Sequence, residues 1–499
     1  MNRGTGLRAL QRPKKNKDKK LNLISQEDFY EDGVKWEEQA ERWLLSDLKK
    51  ALRFYKQAYD SYDNALAAES ISVERTYDVL YNQTRLLFKI HTDYMANDGH
   101  INLLKYVNLQ DIDGIDVLLQ PIERIVDKFE VTLSRFAEHC TWDLYFNLLT
   151  CYSSLLDGDD VDGSRLIDIF PKFTVLFHKL VRDQLAELGS WNDDDAVDGE
   201  TGEDADMGDT APAAEAGVDE YAEVRDHLTP QTLVDTIVVA FKFVESTFIA
   251  VLEDINDELI NPVQKNLLQE YMFKFESQLQ ELVASVTFPD IDTIELALAM
   301  RSLQGLNLIA GNDLSQLEIY ISGSCELDHL LQDTDLLQTA LVVWPTPTHW
   351  RLYTLIASLL GKAQALLSSQ RGQSATHNNV SPIVFQLCDV MLMRSDVEFA
   401  RWALKKDTSA SVDAEIDAAA SQKMLSILQK NGQTLLNNVV AIAEKPCGMR
   451  EYVTDKLKRN YIYRQATSRQ AVIAGNPPSE ELNVSHENPY YRSFITSRS

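Results

Sequence analysis

The sequence predicts an all-α protein built from antiparallel helix pairs, and three observations carry that prediction. Glycine and proline are scarce, 20 and 14 among 499 residues, so the chain has few of the breaks that tight turns and short strands require. From Glu27 to Glu69 apolar residues recur three or four positions apart: Trp36, Ala40, Trp43 and Leu44, then Ala51, Leu52, Tyr55, Ala58, Tyr59, Tyr62 and Leu66. That spacing puts them on one face of each of two helices. Helix-start signals recur later as Thr229-Pro230, Asn261-Pro262 and Ser381-Pro382, in which a capping side chain precedes a proline whose φ already suits a helix.

In chain order, residues 1–24 are basic and lack periodicity, which predicts an unstructured arm. Ser25-x-x-Asp28 has the spacing of a capping box and predicts the first helix start. The break at Ser46-Asp47 is short, so the second helix must fold back on the first. Around this break Asp47, Ala51, Tyr55 and Ala58 resemble a tetratricopeptide (TPR) unit of about 34 residues, with its acidic turn residue and its small residues where paired helices meet. Gln39 stands where that family has Gly or Ala, with Ala40 one place displaced. Trp142-x-Leu144-Tyr145 and Trp350-x-Leu352-Tyr353, each followed by an apolar residue three further on, read as degenerate repeats or as plain core at helical spacing. The resemblance implies a TPR-like superhelix whose concave face binds a protein through the first helix of each pair. The groove candidates it implies are Lys35, Gln39, Arg42, Asn82, Arg85 and Asn147.

From Asn192 to Glu223 the chain is rich in Asp, Glu, Gly and Ala, and such a stretch cannot bury enough apolar surface to order itself. The expected organisation is a basic arm (1–24), a TPR-like lobe (25–190), a disordered acidic insertion (191–227), a second helical lobe (228–472) and a polar tail (473–499). Two further loops are expected at Ser368 to Val380 and at Lys406 to Asp413.

The net charge of −28 repels phosphate backbones and anionic headgroups, which disfavours nucleic acid and membrane and favours a basic protein partner. No apolar run is long enough to span a membrane, and no secretory leader opens the sequence. Cys140, Cys151, Cys325, Cys388 and Cys447 form no C-x-x-C pair and no zinc-finger spacing, so a reduced intracellular protein without metal or cofactor is expected. Phosphate-binding loops, nucleophile elbows and kinase motifs are missing, so the sequence reads as no enzyme.

Three functional readings follow. The first is a protein-binding scaffold or adaptor in assembly of a nuclear or cytoplasmic complex. The second is an escort chaperone for a basic histone or ribosomal protein, using Asp193, Asp194, Asp195, Asp198, Glu200, Glu203, Asp204, Asp206 and Asp209. Its arrangement is similar to acidic-loop TPR chaperones of such cargoes. The third is an RNA-associated regulator using terminal basic segments such as Lys456 to Arg464, which equally suits a closing helix. The cluster Arg12, Lys14, Lys15, Lys17, Lys19 and Lys20 resembles a nuclear localisation signal for an import receptor, which implies nucleus and cytoplasm.

Overall fold

The computed structural model describes residues 23–96, 101–156, 162–197, 228–254, 259–286, 291–373, 380–410, 418–448, 451–476, 488–492 and 494. Helix α1 (Gln26–Trp43) starts where the capping box predicts. The Asp28 amide donates to Ser25 Oγ at 3.1 Å, and the Ser25 amide donates back to Asp28 at 2.9 Å. Asp47 caps α2 (Leu48–Ala67) by accepting from the Lys50 amide at 3.0 Å, satisfying a donor that the first turn would leave open. The turn between them folds α2 back onto α1, and Ala40, Ala51, Leu52, Tyr55, Ala58 and Tyr62 are fully buried at the contact. Gly33 makes the close approach possible, since a Cβ there would stand 2.5 Å from the Tyr62 ring.

The chain continues as α3 (Val73–Ile90), α4 (Ile122–Arg135), α5 (Trp142–Ser154), α6 (Gly163–Val197), α7 (Pro230–Glu253), α8 (Pro262–Ser285), α9 (Ile294–Ala310), α10 (Leu314–Ser322), α11 (Leu327–Val343), α12 (Thr346–Gln373), α13 (Ser381–Ala410), α14 (Ala418–Ala443) and α15 (Val453–Ile473). These are fifteen α-helices among the described residues, with short π and 3-10 turns between α3 and α4 and a 3-10 turn at Pro489–Tyr491, and no strand forms among them. Most successive helices pack as neighbours in a helical-repeat-like stack, and α9 packs on both α7 and α11. The predicted caps at Thr229 and Asn261 are both present as reciprocal capping boxes with Thr232 and Gln264. The two W-x-L-Y segments each turn their apolar side to the core: Leu144, Leu148, Leu352 and Ile356 are buried.

Three boundaries differ from the composition. Helix α6 runs past position 191 to Val197, α12 runs through Ser368 to Gln373, and α13 runs through Lys406 to Ala410. A helix already nucleated gains one hydrogen bond for each residue it adds, so it outlasts its apolar face. The tail also differs from its polar composition, because Tyr491 and Phe494 are buried against α13.

Helices before and after the acidic segment share one aromatic core. Phe173 of α6 stacks on Phe243 of α7 with centroids 3.8 Å apart, and Phe170 and Phe177 meet Phe275 of α8 edge-on. The far end of the stack returns to its beginning. The Val453 amide donates to the Leu45 carbonyl at 3.4 Å, and Tyr461 of α15 lies 6.1 Å from Tyr106.

Candidate functional site

The predicted groove residues do not form one cluster. Lys35 and Arg42 are exposed on α1 and pair one turn away along it, with Glu31 at 3.0 Å and Glu38 at 3.6 Å. Gln39 is half-buried on the same helix. Asn82 and Arg85 do come together, because one turn of α3 separates them: Arg85 Nε donates to Asn82 Oδ1 at 3.2 Å and its guanidinium reaches Glu37 at 2.8 Å. Asn82 also donates to Tyr30 at 3.1 Å, and Tyr62 donates to Glu37 at 2.6 Å. Burial raises the Glu37 carboxyl pKa against the pull of Arg85, so this network is a polar tie between α1, α2 and α3. Asn147 stands apart on α5 and donates to Tyr81 at 3.0 Å.

Asp193, Asp194 and Asp195 lie on the last turn of α6. Asp198, Glu200, Glu203, Asp204, Asp206 and Asp209 fall outside the described residues, as do Arg12, Lys14, Lys15, Lys17, Lys19 and Lys20.

The structure assembles a cleft that local patterns in the sequence do not show. Lys242, Glu245, Ser246 and Ile249 of α7 line it with Ser302 and Leu306 of α9, Gln332, Asp335, Leu336 and Thr339 of α11, and Ser153 of α5, around about 430 Å³. Gly305 lets α9 and α11 close over it, since a Cβ there would stand 2.4 Å from Leu336. Ser302 Oγ donates to Glu245. Burial raises the Glu245 pKa despite that bond and the nearby Lys242, whose ammonium pairs with Glu295 at 2.8 Å. Asp335 is an exposed residue of α11 whose carboxyl faces the cleft, and partial burial there, followed by the charge on Glu245, pushes its pKa up to about 6. Gln332 donates to the Leu298 carbonyl at 2.7 Å while its own carbonyl oxygen is buried without a hydrogen-bond partner. The cleft thus gathers two carboxyls of raised pKa and the unpartnered carbonyl oxygen of Gln332 on one lining. The sequence hint was a single acid inside the apolar run Val238 to Phe248, too weak to read alone.

No group of three or more His, Cys, Asp or Glu among the described residues could hold a metal ion, and no helix among them is long and apolar enough to cross a membrane.

A family model described as the YNL193W-like protein middle domain matches residues 157–311, and one described as the YNL193W C-terminal domain matches residues 323–495. A protein of Saccharomyces cerevisiae (strain ATCC 204508 / S288c) described as "Uncharacterized protein YNL193W" is 32% identical over 550 aligned positions covering 96% of this chain and 98% of the relative. The chain belongs to the YNL193W family. No solved structure matches it. In this member of the YNL193W family the acidic cleft lies across the two matched regions: Lys242, Glu245 and Ser302 come from the middle domain, Gln332 and Asp335 from the C-terminal one. Clefts between domains are common binding sites.

A second cavity, about 650 Å³, separates the 105–110 segment from α15. It contains part of the basic and aromatic stretch from Lys456 to Arg464. Along that stretch Ile462 is buried, Arg459 pairs with Glu451 at 2.5 Å, the Lys458 ammonium sits 5.4 Å from the Phe385 ring centre and Arg464 lies over Tyr106 at 5.2 Å. Those contacts make it a closing helix, with Ile462 in the core, Arg459 in a mostly buried ion pair and Lys458 packed over a ring.

Proposed function

We propose that this member of the YNL193W family is a non-enzymatic, TPR-like scaffold that binds a basic protein partner, taking a Lys or Arg side chain into the cleft between α7, α9 and α11. The observation that carries this reading is the pair of acids, Glu245 and Asp335, held in protein surroundings that oppose their charge. A cation seated between them turns that cost into charge-assisted hydrogen bonds, each worth about 1.5–3 kcal/mol. The fully buried Ala51, Tyr55 and Ala58 on the α1–α2 contact support the TPR-like reading of the first pair. The negative charge of −28 would speed the encounter with a basic surface, more so at low salt.

The test is titration of the intact protein with fluorescent Lys- and Arg-rich peptides, beside a variant carrying Glu245→Gln and Asp335→Asn. The variant should bind about tenfold more weakly. Wild-type binding should also weaken as pH falls through about 6, where Asp335 gains its proton. Equal affinity of both proteins at every pH would sink the reading.

The composition of residues 198–223 favours a second reading, escort of a basic histone or ribosomal protein. Deleting them should abolish binding of such a cargo while leaving the cleft peptides unaffected. The Arg12 to Lys20 cluster is the proposed contact with an import receptor, placing the protein in nucleus and cytoplasm. Replacing Lys14 and Lys15 with Ala should then shift a fluorescent fusion toward the cytoplasm.

A further inference from the structure

Beyond the cleft, the end of the chain carries a feature that its polar composition hides. Residues 488–492 and 494 return to α13, and there Tyr491 is fully buried and Phe494 is 6% exposed. Phe494 stacks on Trp402 with centroids 4.3 Å apart and meets Phe399 edge-on at 5.5 Å, while Tyr491 lies 5.7 Å from Phe399. A helical turn places positions i and i+3 on one side, which suits two rings entering one face together. Behind them the wall is rigid: a Cβ on Gly432 of α14 would stand 2.6 Å from the Phe399 ring, so that ring has no room to retreat.

The polar part of this contact is assembled without the tail. Tyr491 Oη donates to Asp396 Oδ1 at 2.6 Å, but Arg469 of α15 already holds the same carboxylate through Nε at 2.9 Å and its terminal nitrogen at 2.9 Å. Withdrawing Tyr491 gives up its hydrogen bonds to Asp396 and Ser395 but leaves the Asp396 charge paired with Arg469, whereas Phe399 and Trp402 lose their cover. A face that keeps its charge paired and uncovers aromatic rings beside a few polar groups has the character of a preformed peptide site.

We propose that the α13 face bearing Asp396, Phe399 and Trp402, with Arg469, is a socket for a Tyr-x-x-Phe segment, and that Tyr491 and Phe494 are a detachable latch filling it in cis. The latch is tethered through residues 477–487, and a short tether holds its ligand at about millimolar effective concentration. Weak intrinsic affinity is then enough to keep the socket closed, and a tighter peptide of the same pattern can displace the tail.

The experiment uses the full chain with a protease site placed between residues 477 and 487, cut after folding, and a fluorescent peptide spanning His486 to Ser499. Anisotropy should show the peptide exchanging into the cut protein. It should also bind full-length protein carrying Tyr491→Ala and Phe494→Ala, whose own latch cannot fill the socket. Intact wild type should bind it at least about thirtyfold more weakly, and peptides with Tyr491→Ala or Phe494→Ala should lose about the same factor. Failure of the peptide to enter both the cut chain and the double variant overturns the proposal. Loss of helical circular dichroism in both overturns it too, because the segment is then a fixed part of the core.

Discussion

Asp389 gives the sharpest test of the packing of α13. Its carboxyl is half-buried, and burial pushes its pKa from 3.8 up to about 7. In the unfolded chain it ionises near its ordinary value, so between the two values the folded state keeps a proton that the unfolded state has lost. Stability therefore falls as pH rises through this window, and the full cost stands above pH 7. Roughly two of the three units fall between pH 5 and pH 8.5, about 2.7 kcal/mol before screening and about 1–2 kcal/mol once partial solvent access is allowed for. Asp389→Asn keeps the shape and removes the charge. In guanidinium unfolding followed by circular dichroism, its stability relative to wild type should rise by about 1–2 kcal/mol from pH 5 to pH 8.5. A difference that stays constant across that range would refute the assignment of the shift to burial.

Three further perturbations probe the fold. Phe173→Ala removes the ring stacked on Phe243 across the acidic segment, and should cost about 3–5 kcal/mol, read as a lower thermal midpoint. Gly33→Val drives a branched side chain into the Tyr62 ring, itself pinned by its bond to Glu37, and should cost about 2–3 kcal/mol by denaturant titration. Asp47→Ala removes the cap of α2 and should cost about 1 kcal/mol on the same scale.

Much of the architecture was legible because helix signals are local. The capping boxes at Ser25, Thr229 and Asn261, the cap at Asp47 and the apolar stripe from Ala51 to Tyr62 are each written within a few residues, and each is where the spacing predicts it. Helix ends were less legible where the stripe stops before the helix does, as at Val197, Gln373 and Ala410. The place of Asn82 and Arg85 on a first helix is what makes them groove candidates. Whether such side chains face a partner or each other depends on Glu37 and Tyr62, which lie on other helices.

By itself, then, the sequence determined the helical class, the turn that folds α2 back on α1, most helix starts and the acidic balance of the chain, since all of these depend on residues within a turn or two of one another or on composition alone. Only the tertiary structure decided that Phe173 would meet Phe243, that Glu245 and Asp335 would share a cleft, and that Tyr491 and Phe494 would return to α13. Those contacts join positions far apart in the chain, and periodicity shows that a face must be buried without showing which other face will bury it.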